Sequence, residues 1–148
     1  MQSVSSNKYV QMSTSKVIYK GDLSTEATHL KSGTTIITDA PVDNNGLGRS
    51  FSPTDLVATA LGSCILTIMG IKAREKEIDI VGATADVTKV MASGPRRIEQ
   101  IQVEITMPAN DYSDKSRKVL EAAAHHCPVG NSLADGVEAV TIKWLDDE

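Results

Sequence analysis

Between Lys16 and Asp39 the chain runs through three short segments rich in β-branched residues, KVIYK, STEATHL and TTIITD. Gly21-Asp22 and Ser32-Gly33 separate them, and this pattern predicts a β-meander. Residues 40–52, APVDNNGLGRSFS, gather Pro, Asn and Gly and keep no period, which predicts a loop of a length that is often functional. A helix start follows at Ser52-Pro53-Thr54-Asp55: Ser52 is suited to cap, Pro53 to the first helical position, and Asp55 to reach back and close a capping box. From there to about Lys76 the positions are apolar nearly all round, the pattern of a helix covered on every side. Its charged tail, Lys72 to Glu77, emerges into water.

Residues Ile78 to Met91 lean toward strand, Ser93-Gly94-Pro95 supplies a turn, and Arg96 to Met107 returns as the second arm of a long hairpin. In that arm Ile101, Val103, Ile105 and Met107 alternate with Gln102, Glu104 and Thr106, so one face is buried and the other wet. After Pro108, Asp111 or Ser113 caps a second helix that ends by Cys127, because Pro128 follows. A short helical turn, Val129 to Ala134, then leads to a strand with Val140, Ile142 and Trp144 on one face. Strands and helices segregated in this order predict an α+β fold rather than a parallel βαβ sheet. Residues 1–15, rich in Ser and Thr, are expected to form a flexible tail outside a single domain spanning residues 16–148.

Composition narrows the chemistry. Only 3% of the residues are aromatic, so the core is filled by aliphatic side chains. The net charge is −4 and no run or stripe of Lys and Arg occurs, which argues against a nucleic-acid partner. The N-terminus lacks the apolar stretch of a signal peptide, and the most apolar segment, Leu56 to Ile71, is broken by Thr59, Gly62, Ser63, Thr67 and Gly70 and falls short of a membrane span. A cytoplasmic protein with no membrane partner is expected. Two cysteines, Cys64 and Cys127, are too few for a disulfide scaffold, and in a reducing compartment they suit transient redox chemistry.

Taken alone, Cys64 reads as a small core hydrophobe in the middle of ATALGSCILTIMG, although Gly62 and Ser63 leave room for another element or a substrate to approach. Cys127 lies in HHCPVGNS; as the N-cap of the following turn its sulfur would face unpaired N–H groups that favour thiolate. His125 and His126 either assist it or simply complement the carbonyl end of the preceding helix. Together two thiols permit a specific chemistry: one attacks a peroxide bond and becomes sulfenic acid, and the other condenses with it to a disulfide.

SFSPTDLVATALGSCILTIMG, a long hairpin and then AHHCPVGNSL, in that order over about Lys16 to Trp144, resemble the OsmC/Ohr family. The resemblance implies an OsmC-like fold with antiparallel sheets packed around a long central helix, assembled as an intertwined homodimer. It further implies a peroxidatic Cys64, a resolving Cys127, organic hydroperoxide substrates and a dithiol reductant such as a lipoyl group, with no metal or bound cofactor. One departure stands out. In the hydroperoxide-resistance branch an acidic residue follows the helix-starting proline and works with an arginine to ionise the first cysteine, whereas this chain has Thr54 there. Asp55 is next to it but about 180° round the helix from Cys64. Arg49, just before the helix, and Lys31, in the turn region that supplies the family's arginine, are the candidate activating cations. Two other readings compete: an OsmC-fold protein that binds an apolar small molecule or senses redox state at the dimer interface, and a zinc site built from His125, His126, Cys127 and Cys64, whose adjacent ligands lack the usual spacing.

Overall fold

The structure, a computed structural model, describes residues 12–145, so most of the expected N-terminal tail lies outside the described residues. The chain divides into two compact units, residues 1–53 and 54–148. In the first, β1 (Ser15–Gly21), β2 (Ser24–His29) and β3 (Thr35–Asp39) form the predicted antiparallel meander in the order β1-β2-β3. β1 takes in Ser15, and Thr14 accepts a backbone bond from Leu30. Residues 40–52 form the expected loop, apart from a 3-10 turn at Val42–Asn44. The apolar side chains of this sheet are largely exposed, Val17 at 60% and Tyr19 at 59%. Its buried positions include Thr38 and Asp39, and Thr38 shares a side-chain hydrogen bond with Thr25.

The second unit is organised by packing. Helix α1 (Pro53–Glu75) is followed by β4 (Thr84–Ala92), β5 (Arg97–Met107), α2 (Asp114–Ala124), α3 (Pro128–Ser132) and β6 (Glu138–Trp144). β4 and β5 make the predicted hairpin, whereas β6 pairs with β5 in parallel, Ile101 facing Glu138 and Met107 facing Trp144. This second sheet is therefore mixed rather than antiparallel throughout. The alternation read in β5 holds: Ile101, Val103, Ile105 and Met107 are buried and Gln102 and Glu104 exposed. They pack with Leu61, Ile65 and Met69 of α1, Leu120 and Ala124 of α2, and Trp144 of β6. Burying each large aliphatic side chain contributes roughly 1.5–3 kcal/mol, so this cluster is what holds the unit together.

Helix α1 is not covered all round by its own chain. Its buried residues, Ala58, Leu61, Gly62, Ile65, Met69 and Ala73, recur at the three- and four-residue steps of a single helical face, while Val57 and Ile71 are 39% and 51% exposed. With 23 residues it is long and apolar enough by length and composition to cross a membrane. The core helix of a globular protein passes the same test, and the face that packs into the aliphatic cluster is what such a helix presents. Gly62 explains how closely α1 meets the sheet: a Cβ there would stand 2.6 Å from Val87 Cγ2 and 3.6 Å from Ala85 Cβ, both on β4. The small residue thus admits a neighbouring strand. At the start of the helix Lys89 Nζ of β4 donates to Thr54 Oγ1 at 2.9 Å and pairs with Asp55 Oδ1 at 2.8 Å, tying the first turn to the sheet.

Candidate active site

The helix that begins at Asp114 is capped by Ser113, whose hydroxyl accepts from the Ser116 backbone N–H at 3.1 Å. It ends at Ala124, earlier than the expected Cys127. Pro128 disfavours a helical conformation in the residue before it, and Cys127 is extended, with φ −94° and ψ 144°. Cys127 is thereby freed to act as the N-cap of α3, where Pro128 occupies the first turn and the Gly130 N–H donates to its sulfur at 3.2 Å.

Cys64, half-buried on α1 beside the buried Leu61 and Ile65, lies close enough to Cys127 for its thiol to bear on the ionisation of the other. Both are free cysteines. Two residues far apart in sequence, one mid-helix and one at a helix start, are thus brought together within a single unit. The N-cap position was expected to favour thiolate at Cys127, but the opposite effect wins. Burial at 1% exposure pushes this thiol above its ordinary range, the Gly130 N–H only partly offsets it, and the neighbouring Cys64 and Glu138 push it further up. Desolvation of the charged form exceeds what one backbone N–H returns, and a five-residue helix supplies little dipole.

The histidines serve the helix end. His126 Nδ1 lies 2.6 Å from the Ala122 carbonyl, the His125 N–H donates to the same oxygen, and both residues are exposed. Among the described residues no three His, Cys, Asp or Glu side chains converge as a metal site requires, so the zinc reading finds no ligand set. Both candidate cations belong to the first unit. Lys31 is exposed in the turn between β2 and β3. Arg49 is held by the buried Asp39, with Nε donating to Oδ2 at 2.9 Å, Nη2 to Oδ1 at 3.3 Å and its backbone N–H to Oδ2 at 2.9 Å. These bonds hold the Asp39 carboxyl below the usual carboxylate range. Arg49 is therefore an oriented cation with a carboxylate partner.

One residue of the site escaped the sequence reading. Glu138, the first residue of β6, shares the alternation of Val140, Ile142 and Trp144, and so points to the inner face of the sheet. Its Oε1 is buried without a hydrogen-bond partner among the described residues. A Cβ on Gly130 would stand 2.1 Å from Glu138 Oε2 and 3.2 Å from Cys127 Sγ, so carboxylate and thiol border one small space that glycine leaves open. The signal in the sequence was a lone acidic residue in the inward register of β6, whose other inward positions, Val140, Ile142 and Trp144, are apolar.

Comparison with known proteins bears on the family and the fold. The family model described as OsmC-like protein matches residues 45–142. A crystal structure from Psychrobacter arcticus 273-4, provisionally named an osmotic stress induced and detoxification response protein, is 51% identical, with a TM-score of 0.83, covering 93% of this chain and 98% of that one. An OsmC-like protein from Mycoplasma pneumoniae matches at TM-score 0.73 with 19% identity over 91% of this chain and 98% of its own. The organic hydroperoxide resistance protein OhrB of Bacillus subtilis matches at 0.58 with 19% identity over 88% and 97%. These last two likenesses concern the fold. No curated protein shows significant similarity to the chain.

Proposed function

The chain belongs to the OsmC-like protein family, and on that premise we propose that it is a thiol-dependent peroxidase reducing organic hydroperoxides through a peroxidatic Cys64 and a resolving Cys127. Membership links it to peroxide-related stress response. The observation that carries the finer reading is the proximity of the two thiols, close enough for Cys64 to push the Cys127 thiol up: a sulfenic acid formed on one sulfur would have the other as its neighbour for condensation. The roles follow from exposure. Cys64 is half-buried and accessible to a peroxide, whereas Cys127 is buried and its thiol is pushed up, which suits a sulfur that waits for its partner.

In the first step the Cys64 thiolate attacks the O–O bond, leaving Cys64 sulfenic acid and an alkoxide that is protonated to the alcohol. In the second, the Cys127 sulfur displaces hydroxide from the sulfenic sulfur, giving the disulfide and water. A dithiol reductant, a lipoyl group by family resemblance, then reopens the bond. By family resemblance alone, Arg49, ahead of Lys31, is the candidate cation for the Cys64 thiolate; within its own unit Arg49 is paired with Asp39. A shallow groove of about 410 Å³ beside α1, lined by Ile68, Val119, Ala122 and Ala123 with Lys72 and His126, supports an alkyl rather than an inorganic peroxide. The exposed apolar side chains of β1 and β3 support a homodimer. Residues 16–148 are read as one domain, supported by the Psychrobacter relative covering 93% of the chain, and the enzyme is read as cytoplasmic.

The same groove, together with Thr54 at the family's acidic position, favours a second reading, a small-molecule binding or redox-sensing protein. One experiment separates the two. After one equivalent of an organic hydroperoxide or of hydrogen peroxide, mass spectrometry of the thiols is expected to show a Cys64–Cys127 disulfide, formed faster with the organic peroxide. Two unchanged thiols would favour the binding protein.

A further inference from the structure

We propose that Glu138 is the proton acceptor for Cys127 when that thiol attacks oxidised Cys64. The proposal rests on the peroxidase reading and assigns a catalytic residue to its second step. Three observations converge on the carboxylate. It occupies the inward register of β6, where Val140, Ile142 and Trp144 follow and an apolar side chain would serve packing better. Its Oε1 is buried with no hydrogen-bond partner among the described residues, and a buried acceptor is rarely left unpaired without a functional cause. Its Oε2 and the Cys127 sulfur face the same gap above Gly130, where any Cβ would collide with the carboxylate.

The chemistry needs such a group. A thiol pushed up by burial is overwhelmingly protonated near neutral pH, and only the thiolate is nucleophilic. The proton passes from Cys127 Sγ to the Glu138 carboxylate as the S–S bond forms and the S–O bond of Cys64 sulfenic acid breaks. The departing hydroxide takes that proton back and leaves as water, and Glu138 ends as the carboxylate it began. The groups acting on Cys127 are Cys64 from α1, Glu138 from β6 and the Gly130 N–H from α3; of these only the carboxylate is a base. The Gly130 N–H stabilises the sulfur as its negative charge develops. The same carboxylate opposes a standing thiolate beside it, so its benefit is confined to the moment of transfer.

The test is a rapid-quench single turnover of the full chain with one equivalent of cumene hydroperoxide, trapping sulfenic acid with dimedone and free thiols with an alkylating agent. In E138Q, Cys64 sulfenic acid is expected at the wild-type rate, while the disulfide forms about 100-fold more slowly, the usual order of effect for losing a general base. Its rate should then climb about tenfold per pH unit between about pH 6 and 8, following the thiolate fraction, where the wild type is flatter. G130A, which displaces the carboxylate while leaving it ionisable, should slow the same step less. Disulfide formation at the wild-type rate and with the wild-type pH profile in both variants would overturn the assignment. Absence of sulfenic acid in the wild type would instead remove the peroxidase reading, and the proposal with it, before either variant is compared.

Discussion

The two cysteines are neighbours, yet the chain builds them on opposite plans. Cys64 sits on the flank of a long apolar helix, half-open, placed by the packing of Leu61 and Ile65 beneath it. Cys127 sits where a helix is broken by proline, almost wholly buried, its sulfur held by one backbone N–H and its ionisation opposed by desolvation. Adjacency makes a disulfide chemically possible, and it is the difference in surroundings that divides the labour between the sulfurs.

Substitution tests that division most severely. Cys64→Ser should lower peroxide consumption at least about a thousandfold, the usual order for removing a nucleophile. Cys127→Ser should still consume one equivalent and stop at sulfenic acid, read by dimedone labelling. Equal loss in both variants at the first equivalent would erase the distinction. Leu61→Ala, beneath Cys64 and wholly buried, should cost about 2–5 kcal/mol in urea unfolding and loosen the helix flank that presents the sulfur. Arg49→Met should slow sulfenic acid formation by about 10-fold or more, because an opposite charge lowers a thiol's pKa by roughly 1–3 units. It should leave the later condensation unchanged, and no change in the first step would remove Arg49 from the site.

Smaller effects come from pH. The Cys127 thiol is raised in the folded chain, so the folded state keeps a proton that the unfolded state gives up. Its contribution to stability is full below the ordinary thiol range and is lost as pH rises from there through the raised value of the folded chain. Asp39 is lowered by its bonds from Arg49, so its contribution is full above the ordinary carboxylate range and is lost as pH falls through the depressed value. Urea midpoints measured across pH should therefore fall on both limbs. C127S should flatten the alkaline one and Asp39→Asn the acid one, each leaving the other limb in place.

Much of this was legible in advance, for identifiable reasons. The strict alternation of Ile101 to Met107 and the Ser52-Pro53 start of α1 are local signals, and the structure follows them. The parallel pairing of β6 with β5 is a tertiary choice that no local period encodes. The one-sided burial of α1 within its own chain is not legible from a helix that is apolar all round, a pattern that says what a helix tolerates and not what its own chain supplies. At Cys127 the N-cap geometry was read correctly and its consequence was not, since burial is decided by distant residues. Glu138 was passed over for want of a partner in the sequence, and its place beside Gly130 and Cys127 is visible only once β6 has docked.

The parallel register of β6 has a bearing on the order of assembly. A strand parallel to its predecessor cannot follow by a tight turn. The connection from Met107 to Glu138 carries α2, α3 and Cys127 along with it, and the sulfurs meet only after that crossover closes. Long-range closures of this kind are slow steps in folding. Until the core of the second unit is laid down the two thiols have no fixed geometry, and refolding under oxidising conditions should be the situation in which the chain is most easily trapped with the wrong sulfur chemistry.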